Sequence, residues 1–138
     1  IIYSGTDMSR VVSSRWKTQI NENAKSKAFI GNLPEVHHNE ILSWDADKNG
    51  SKENYIVIFI RDQNEHPQIR KRFELTKDLI EEKVNITEVN IANQESTLKT
   101  LLELVLLGDL VSLNLAAKLA VNPNNIDTIE KLKKLLGG

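Results

Sequence analysis

The chain has 138 residues, of which 40% are hydrophobic and 27% charged, a composition that suits one globular domain rather than a disordered segment. The absence of cysteine excludes disulfides, thiolate metal sites and a cysteine nucleophile, and three histidines without zinc-site spacing argue against a zinc centre. The net charge of −1 gives no electrostatic signature of binding to nucleic acid or to an anionic membrane surface.

The N-terminal segment predicts a strand, a turn and a helix. Ile1–Tyr3 is apolar, Ser4–Asp7 forms a turn of small residues, and Ser9 is the candidate N-cap of the helix. The apolar face of this helix recurs at four-residue steps, at Val12, Trp16 and Ile20. The turn could hold an anion, but a single glycine is a weak signal and a plain β–α connection is favoured. Because Ile1 is not Met and resembles the inside of a strand, we expect a fragment of a longer protein, without a signal peptide.

A polar stretch, residues 21–44, collects many of the side chains that can do chemistry. Glu22 falls in the last turn of the first helix, where its carboxylate faces the negative end of the helix dipole. Two interpretations stay open: a solvated glutamate stabilised by Lys25 or Lys27, or a carboxylate placed for proton transfer. Ala28–Ile30 is the predicted second strand, and its polar flanks would lie at the rim of a sheet, where open α/β folds place their sites.

Val36–Trp44 predicts a loop that leads into a short helix, and it contains the adjacent pair His37 and His38. Adjacent histidines cannot share one helix face, so we do not expect them to bind a common metal. Asp45–Glu53 predicts a polar loop with a turn at Asn49-Gly50. The position of its last glutamate does not fit the spacing of a calcium-binding loop.

The remaining elements alternate between strands and helices. Tyr55–Ile60 is an uninterrupted β-branched and aromatic run, typical of a strand buried on both faces of a parallel sheet. The helix after Pro67 has an apolar face at Ile69, Phe73, Thr76, Ile80 and Val84. Ile86–Ala92 alternates and predicts a further strand. Ser96 is a candidate cap for the long helix Thr97–Ala120.

The long helix 97–120 is apolar on most sides, so we expect its burial between the sheet and a partner, or at a subunit interface. Its uninterrupted apolar runs are too short to predict a transmembrane helix. Gly108 in its middle predicts the close approach of another element or a bend. Ile126–Leu136 predicts the last helix. Lys133 falls inside its apolar stripe, and either snorkels past its neighbours or points into a polar pocket.

The order of these elements predicts the fold. Strands that alternate with helices through short turns indicate an α/β protein, a three-layer α/β/α sandwich with a mainly parallel sheet. Residues 1–138 would form a single domain of this kind.

Four segments in order along the chain read RWKTQINENAKSKAF, LPEVHHNEILSW, VLLGDLVSLNLAAKLAVNP and IDTIEKLKKLL. Together they resemble the C-terminal half of the archaeal and bacterial bifunctional phosphoglucose/phosphomannose isomerases, with ENAK and HNEI the most specific motifs. The resemblance implies a flavodoxin-like sugar-isomerase (SIS) domain. In that family it is the second of two SIS domains, so the N-terminal SIS domain would be absent from this chain.

The resemblance implies a cytoplasmic enzyme that interconverts glucose 6-phosphate or mannose 6-phosphate with fructose 6-phosphate, without metal or organic cofactor. Glu22 of ENAK would be the base that moves a proton between C1 and C2 through an enediolate. His38 of HNE would open the sugar ring from the neighbouring subunit of a homodimer, and Lys133 would assist beside the ring oxygen. These residue types suit the chemistry, which needs a carboxylate base, an imidazole acid and base, and a cation near the developing oxyanion.

Other residues receive secondary roles. Asn39, Glu40 and Lys25 are candidate substrate contacts, whereas His37 has no role in the family and is expected to be a plain surface histidine. The phosphate cradle of the family belongs to its first domain, so we expect the isolated chain to fold but to have little turnover. Thr128 is the one candidate for the threonine that the family links to accepting mannose phosphate.

Two other classes of function remain open. A non-catalytic SIS module would bind a sugar phosphate to regulate a partner, and it would need no base. Replacement of Glu22 by glutamine should abolish the rate and spare affinity in an enzyme, whereas equal loss of both would favour a binding module. A flavodoxin-like nucleotide binder is the third class, but no Gly-rich fingerprint supports it.

Overall fold

The sheet of this domain is wholly parallel in the computed structural model, which describes residues 1–45, 51–91 and 97–137. Its order within the described residues is β2-β1-β3-β4. The strands are β1 (Ile2–Ser4), β2 (Ile30–Asn32), β3 (Ile56–Asp62) and β4 (Asn85–Ile91). This is the strand order of flavodoxin-like folds, in which the chain reverses direction across the sheet between β1 and β3.

Helices cover both faces of the sheet. They are α1 (Asp7–Asn23), α2 (Ser51–Asn54), α3 (Pro67–Ile80), α4 (Thr97–Lys118) and α5 (Asp127–Leu135), with short 3₁₀ turns at Glu35–His37 and Glu40–Trp44. Side chains from α1 and α4 pack on one face, and those from α3 and the 3₁₀ turns pack on the other. The predicted three-layer α/β/α sandwich is therefore confirmed.

Each face of the sheet carries an apolar core, and these cores contain the residues that the hydrophobic periodicity predicted. On the α3 face, Phe59 and Phe73 are fully buried with ring centroids 5.1 Å apart. On the α1 face, the buried Trp16 donates its indole N–H to the carbonyl of Leu104 at 2.8 Å. A Cβ at Gly108 would lie 2.4 Å from the Trp16 ring, so the predicted close approach at this glycine is confirmed, and α4 passes through it unbroken.

The start of α1 differs from the prediction, because the N-cap is Thr6 rather than Ser9. The Thr6 hydroxyl accepts from the Ser9 backbone N–H at 3.2 Å, and the Ser9 hydroxyl accepts from the Thr6 backbone N–H at 2.9 Å. This reciprocal capping box starts the helix three residues earlier than Ser9 would. The capping box also pairs hydrogen-bonding groups of the turn with each other, as expected for a plain β–α connection.

Other boundaries shift by one or two residues. β2 begins at Ile30 rather than Ala28, because the Asn21 side chain takes the backbone N–H of Ala28 at 2.8 Å. β3 is buried in its middle, but Tyr55 and Ile56 are 49% and 48% exposed, so the prediction of burial throughout was wrong at its start. The predictions at Asn49-Gly50, Ala92 and Ser96 lie outside the described residues.

The long helix α4 is a candidate membrane span by a weak criterion that the core helix of a folded protein also meets, so it does not overturn the expectation that no transmembrane helix is present. Leu98–Lys118 is long and apolar enough by length and composition alone, with a mean hydropathy of 1.7. However, this helix packs along α1 through polar contacts as well as through Gly108. Asp109 accepts from Gln19 at 2.7 Å, and the Ser112 hydroxyl accepts from Asn23 at 2.8 Å. Such a seam is typical of a helix that belongs to a folded domain.

The parallel topology places the two ends of α1 at opposite edges of the sheet. The helix leaves the carboxyl end of β1 and returns to the amino end of β2. Its 17 residues span about 25 Å at 1.5 Å per residue. Residues at the end of α1 therefore lie at the amino edge, whereas residues that follow β2 lie at the carboxyl edge.

Candidate functional site

A pocket of about 750 Å³ opens at the amino edge of the sheet, beside the end of α1. Three parts of the chain line it: the last turn of α1 with Glu22, the connection after α4 with Asn122 and Asn125, and the start of α5 with Thr128 and Ile129. Its lining mixes apolar side chains with a few polar groups, which is the usual character of small-molecule sites. The pocket thus joins the first and last helices of the domain around one carboxylate.

Glu22 presents an exposed carboxylate to this pocket. No described residue forms a hydrogen bond or an ion pair with that carboxylate, although Lys25 and Lys27 follow closely in sequence. The Lys25 ammonium group instead donates to the backbone carbonyl of Glu22 at 2.6 Å. The side-chain pair of Glu22 with Lys25 or Lys27 is therefore absent among the described residues, while the role of the exposed carboxylate in proton transfer stays a prediction.

Lys25 also reaches across the pocket wall. Its ammonium group donates to the carbonyls of Asn125 at 2.7 Å and of Pro123 at 3.3 Å. Together with the Glu22 carbonyl, these bonds engage the three N–H donors of the ammonium group. Lys25 as a substrate contact stays a prediction, and in this structure its donors are directed to the protein backbone.

Lys133 lies on α5, which buries no side chain. It follows the pocket residue Ile129 by one helical turn, so the two lie on neighbouring positions of one face. The apolar side chains around it are also uncovered, with Ile129 44% and Leu132 55% exposed. Neither snorkelling nor insertion into a polar pocket is realised in this chain, where the whole face of α5 is open.

His38 lies far from this pocket. It follows β2 at the carboxyl edge and lies on the α3 side of the sheet, in an open pocket of about 360 Å³ with Glu35, His37 and Arg72. The neighbouring candidate Asn39 accepts the backbone N–H of Glu40 on its side-chain oxygen at 2.6 Å, and so starts the second 3₁₀ turn. Glu40 itself is exposed.

The candidate residues therefore form two groups rather than one. Glu22, Lys25 and Thr128 share the pocket at the amino edge, and Lys133 lies one turn beyond it. His38, Asn39 and Glu40 lie together at the carboxyl edge. Within one chain, the length of α1 and the thickness of the sheet separate Glu22 from His38.

Comparison with known families decides the class of the domain. The family described as "Bacterial phospho-glucose isomerase C-terminal SIS domain" matches residues 1–136. The chain belongs to this family.

Relatives of this SIS domain carry two kinds of name. It is 35% identical over 136 residues to the bifunctional phosphoglucose/phosphomannose isomerase of Aquifex aeolicus, which covers 99% of this chain and 42% of that protein. The same enzyme of Caldicellulosiruptor bescii is 34% identical over 138 residues, covering 99% and 40%. The D-glucosamine-6-phosphate 4-epimerase of Sulfolobus acidocaldarius is 30% identical over 132 residues, covering 92% and 38%. The chain thus spans about 40% of the length of the isomerases that it matches.

His37 in this SIS domain is not the plain surface histidine that the sequence predicted. The Thr76 hydroxyl donates to the carbonyl of Arg72 at 2.7 Å, so its oxygen accepts from His37 Nε2, 2.6 Å away. The Arg72 guanidinium lies 3.1 Å from His37 Nδ1 and donates to it. These contacts select the neutral imidazole with the proton on Nε2. Burial, and then the charge of Arg72, hold the pKa of His37 below its ordinary value.

This arrangement predicts a pH dependence of stability. The unfolded chain takes up a proton at His37 first, so stability is fully present above pH 6.5 and declines as the pH falls toward the lowered folded pKa. Urea unfolding of wild type and His37→Gln from about pH 7.5 to about pH 5 gives the free energy of unfolding at each pH. The difference between the two slopes of that free energy against pH measures the contribution of His37. Glu35 and His38 also face this pocket and are unchanged in the variant, so the difference between wild type and His37→Gln reports on His37. Parallel pH profiles of wild type and His37→Gln would contradict the assignment.

Two parts of the site were missed by reasoning from sequence. Arg72 was counted among the charged residues of α3, because its position carries no signal of a partner on the 3₁₀ turn. The asparagine-rich connection 122–125 falls between the predicted helices 97–120 and 126–136, and its composition was a signal that reasoning from sequence did not use. The described part of the chain contains no group of three or more His, Cys, Asp or Glu that could hold a metal ion.

Proposed function

We propose that this chain is the C-terminal catalytic half of a sugar-phosphate aldose–ketose isomerase. It would interconvert glucose 6-phosphate or mannose 6-phosphate with fructose 6-phosphate in the cytoplasm. The observation that carries the proposal is the carboxylate of Glu22, which faces a pocket without an ion-pair partner among the described residues. Membership in the phosphoglucose isomerase SIS family and the names of the isomerase relatives support the substrate class.

In the proposed reaction, Glu22 removes the proton from C2 of the open-chain aldose and returns it to C1, through an enediolate. A carboxylate that has no ion-pair partner among the described residues is free to accept the proton from the substrate. Lys133 lies on α5 one helical turn beyond the pocket residue Ile129, and its ammonium group would stabilise the negative oxygen of the enediolate. A second proton passes from O2 to O1 in the same conversion, so the proposed chemistry moves only protons and needs no redox or metal cofactor.

The proposed ring-opening residue, His38, must come from a second copy of the chain. Glu22 and His38 of one copy lie at opposite edges and on opposite faces of the sheet, so one copy cannot place both on the same sugar. A homodimer in which the carboxyl edge of one subunit meets the amino edge of the other would complete the site. The dimer is therefore part of the proposed mechanism.

The exposed face of α4 supports such an assembly. Several of its leucines are between about two fifths and two thirds exposed, at Leu98, Leu102, Leu106, Leu107, Leu110 and Leu113. A continuous apolar stripe of this kind on a soluble domain marks an interaction surface. We propose that it packs within the assembled protein, against a second copy of the chain. The N-terminal SIS domain, which would hold the substrate phosphate, is the other proposed partner.

Thr128 is the residue of this pocket that we propose for sugar specificity. Thr128 lines the same pocket as Glu22, so its hydroxyl is available to a sugar hydroxyl group near the reacting carbons. We propose that it contributes to the acceptance of mannose 6-phosphate. The 4-epimerase among the relatives shows that this type of domain also occurs in a protein named for a different reaction on a hexose 6-phosphate.

The test is a coupled assay of the full-length protein with glucose 6-phosphate, mannose 6-phosphate and glucosamine 6-phosphate. We expect both glucose 6-phosphate and mannose 6-phosphate to yield fructose 6-phosphate, with no reaction of glucosamine 6-phosphate. Binding of the first two sugars without turnover would replace the enzyme by the non-catalytic SIS module. Turnover of glucosamine 6-phosphate alone would assign the chain to the epimerase branch.

A further inference from the structure

Lys25 combines two features that are unusual for a lysine after a helix. Its backbone lies in the left-handed region, at φ 54°, a conformation that favours glycine. Its side chain nevertheless turns back to the protein and donates to the carbonyls of Glu22, Pro123 and Asn125. Glycine would end α1 here without strain, so termination of the helix does not by itself require a lysine.

The three carbonyls belong to two parts of the chain that are otherwise distant. Glu22 lies in the last turn of α1, whereas Pro123 and Asn125 lie 98 and 100 residues beyond Lys25 in the connection between α4 and α5. Carbonyl oxygens that converge on one point repel each other unless a cation lies between them. Without the ammonium group, the connection 122–125 would therefore move away from the end of α1.

The position of α5 depends on this connection. No side chain of α5 is buried, so the helix has no core contact of its own that fixes it to the domain. Thr128 and Ile129, at its start, form the wall of the pocket opposite Glu22. A displacement of the connection would therefore move that wall, and with it Lys133, relative to the carboxylate.

We propose that Lys25 is a positioning residue, whose ammonium group holds the connection 122–125 against the end of α1 and thereby fixes the wall of the pocket that faces Glu22. Its effect on turnover rests on the proposed isomerase function, whereas its effect on the wall does not. Lys25 acts through the backbone in this proposal, because its ammonium group donates to three backbone carbonyls. A misplacement of about 1 Å at a reacting centre is enough to cost about 100-fold in rate.

Two variants of the full-length protein separate this role from helix capping. Lys25→Met keeps the left-handed strain and removes the ammonium group, whereas Lys25→Gly removes both. We expect kcat for fructose 6-phosphate formation to fall about 10- to 100-fold in both variants, with KM little changed. The unfolding midpoint should be higher in Lys25→Gly than in Lys25→Met, so that activity does not follow stability.

The matched control is Lys27→Met, which removes an exposed lysine two residues away that has no ion pair among the described residues. It should keep the wild-type kcat. Wild-type kcat in Lys25→Gly would overturn the proposal and leave Lys25 a residue of the helix end only. An equal loss of kcat in Lys27→Met would also overturn it, because the loss would then follow net charge.

Amide hydrogen exchange supplies a readout that is independent of activity. In Lys25→Gly and Lys25→Met, the backbone amides of the connection (residues 121, 122 and 124–126, since Pro123 has no N–H) should exchange at least about tenfold faster than in wild type, whereas Lys27→Met should not change them. If the wild-type protein isomerises neither sugar phosphate, the proposed function fails. The exchange rates still test whether Lys25 positions the connection 122–125. Unchanged exchange at residues 121–126 in both Lys25 variants would overturn the positioning role.

Discussion

Replacement of Glu22 by glutamine should lower kcat of the full-length protein by about 10²- to 10⁴-fold, the usual contribution of a general base. The amide keeps the size and the hydrogen-bonding capacity of the side chain but cannot accept the proton from C2. KM should stay within about threefold, because the group would act in the transition state and the phosphate would be held by the proposed N-terminal SIS domain. Steady-state kinetics with both sugar phosphates, and calorimetric titration of the variant with fructose 6-phosphate, measure the two effects separately.

The control for this variant is Glu74→Gln, which makes the same change of charge at an exposed position of α3. It should leave kcat and KM at their wild-type values. Glu22→Asp should retain part of the activity, because the shorter carboxylate is still a base but lies farther from the substrate. Loss of affinity together with rate in Glu22→Gln would contradict the catalytic role and favour the binding module.

A mixture of two inactive variants should regain activity if the site is shared between subunits. On the proposed mechanism, Glu22→Gln and His38→Ala should each disable both sites of their own homodimer. In a mixed dimer, the His38→Ala chain contributes an intact Glu22 and the Glu22→Gln chain contributes an intact His38, so one of the two sites is complete. With random exchange of subunits at equal amounts, about a quarter of the wild-type turnover should return.

The control for the mixture is the double variant Glu22→Gln/His38→Ala combined with either single variant, which cannot assemble a complete site. Sedimentation of the mixture and of the wild type establishes that both are dimers. Activity that stays at the level of the single variants, in dimers shown to have exchanged subunits, would place Glu22 and His38 in separate functions. A wild-type protein that sediments as a monomer would contradict the shared site outright.

The local pattern of the sequence was enough to predict the layers of this fold. The apolar run of β3 and the stripes of α1 and α3 are properties of neighbouring residues, because a buried strand or an amphipathic helix needs only its own spacing to be recognised. Gly108 was informative for the same reason, since a glycine inside an apolar helix signals close packing. The motifs around Glu22 and His38 indicated the family before any geometry was known.

Contacts between distant segments decided what the sequence could not. The separation of Glu22 from His38 follows from the parallel order of the strands, because α1 must run the length of the sheet between its carboxyl and amino edges. His37 meets Thr76 across 39 residues, and Lys25 meets Asn125 across 100. No periodicity records such a meeting, since it depends on how layers stack rather than on spacing within one element. Local patterns therefore predict the elements and the candidate chemistry, whereas the stacking of the layers sets which of those groups can meet within one chain.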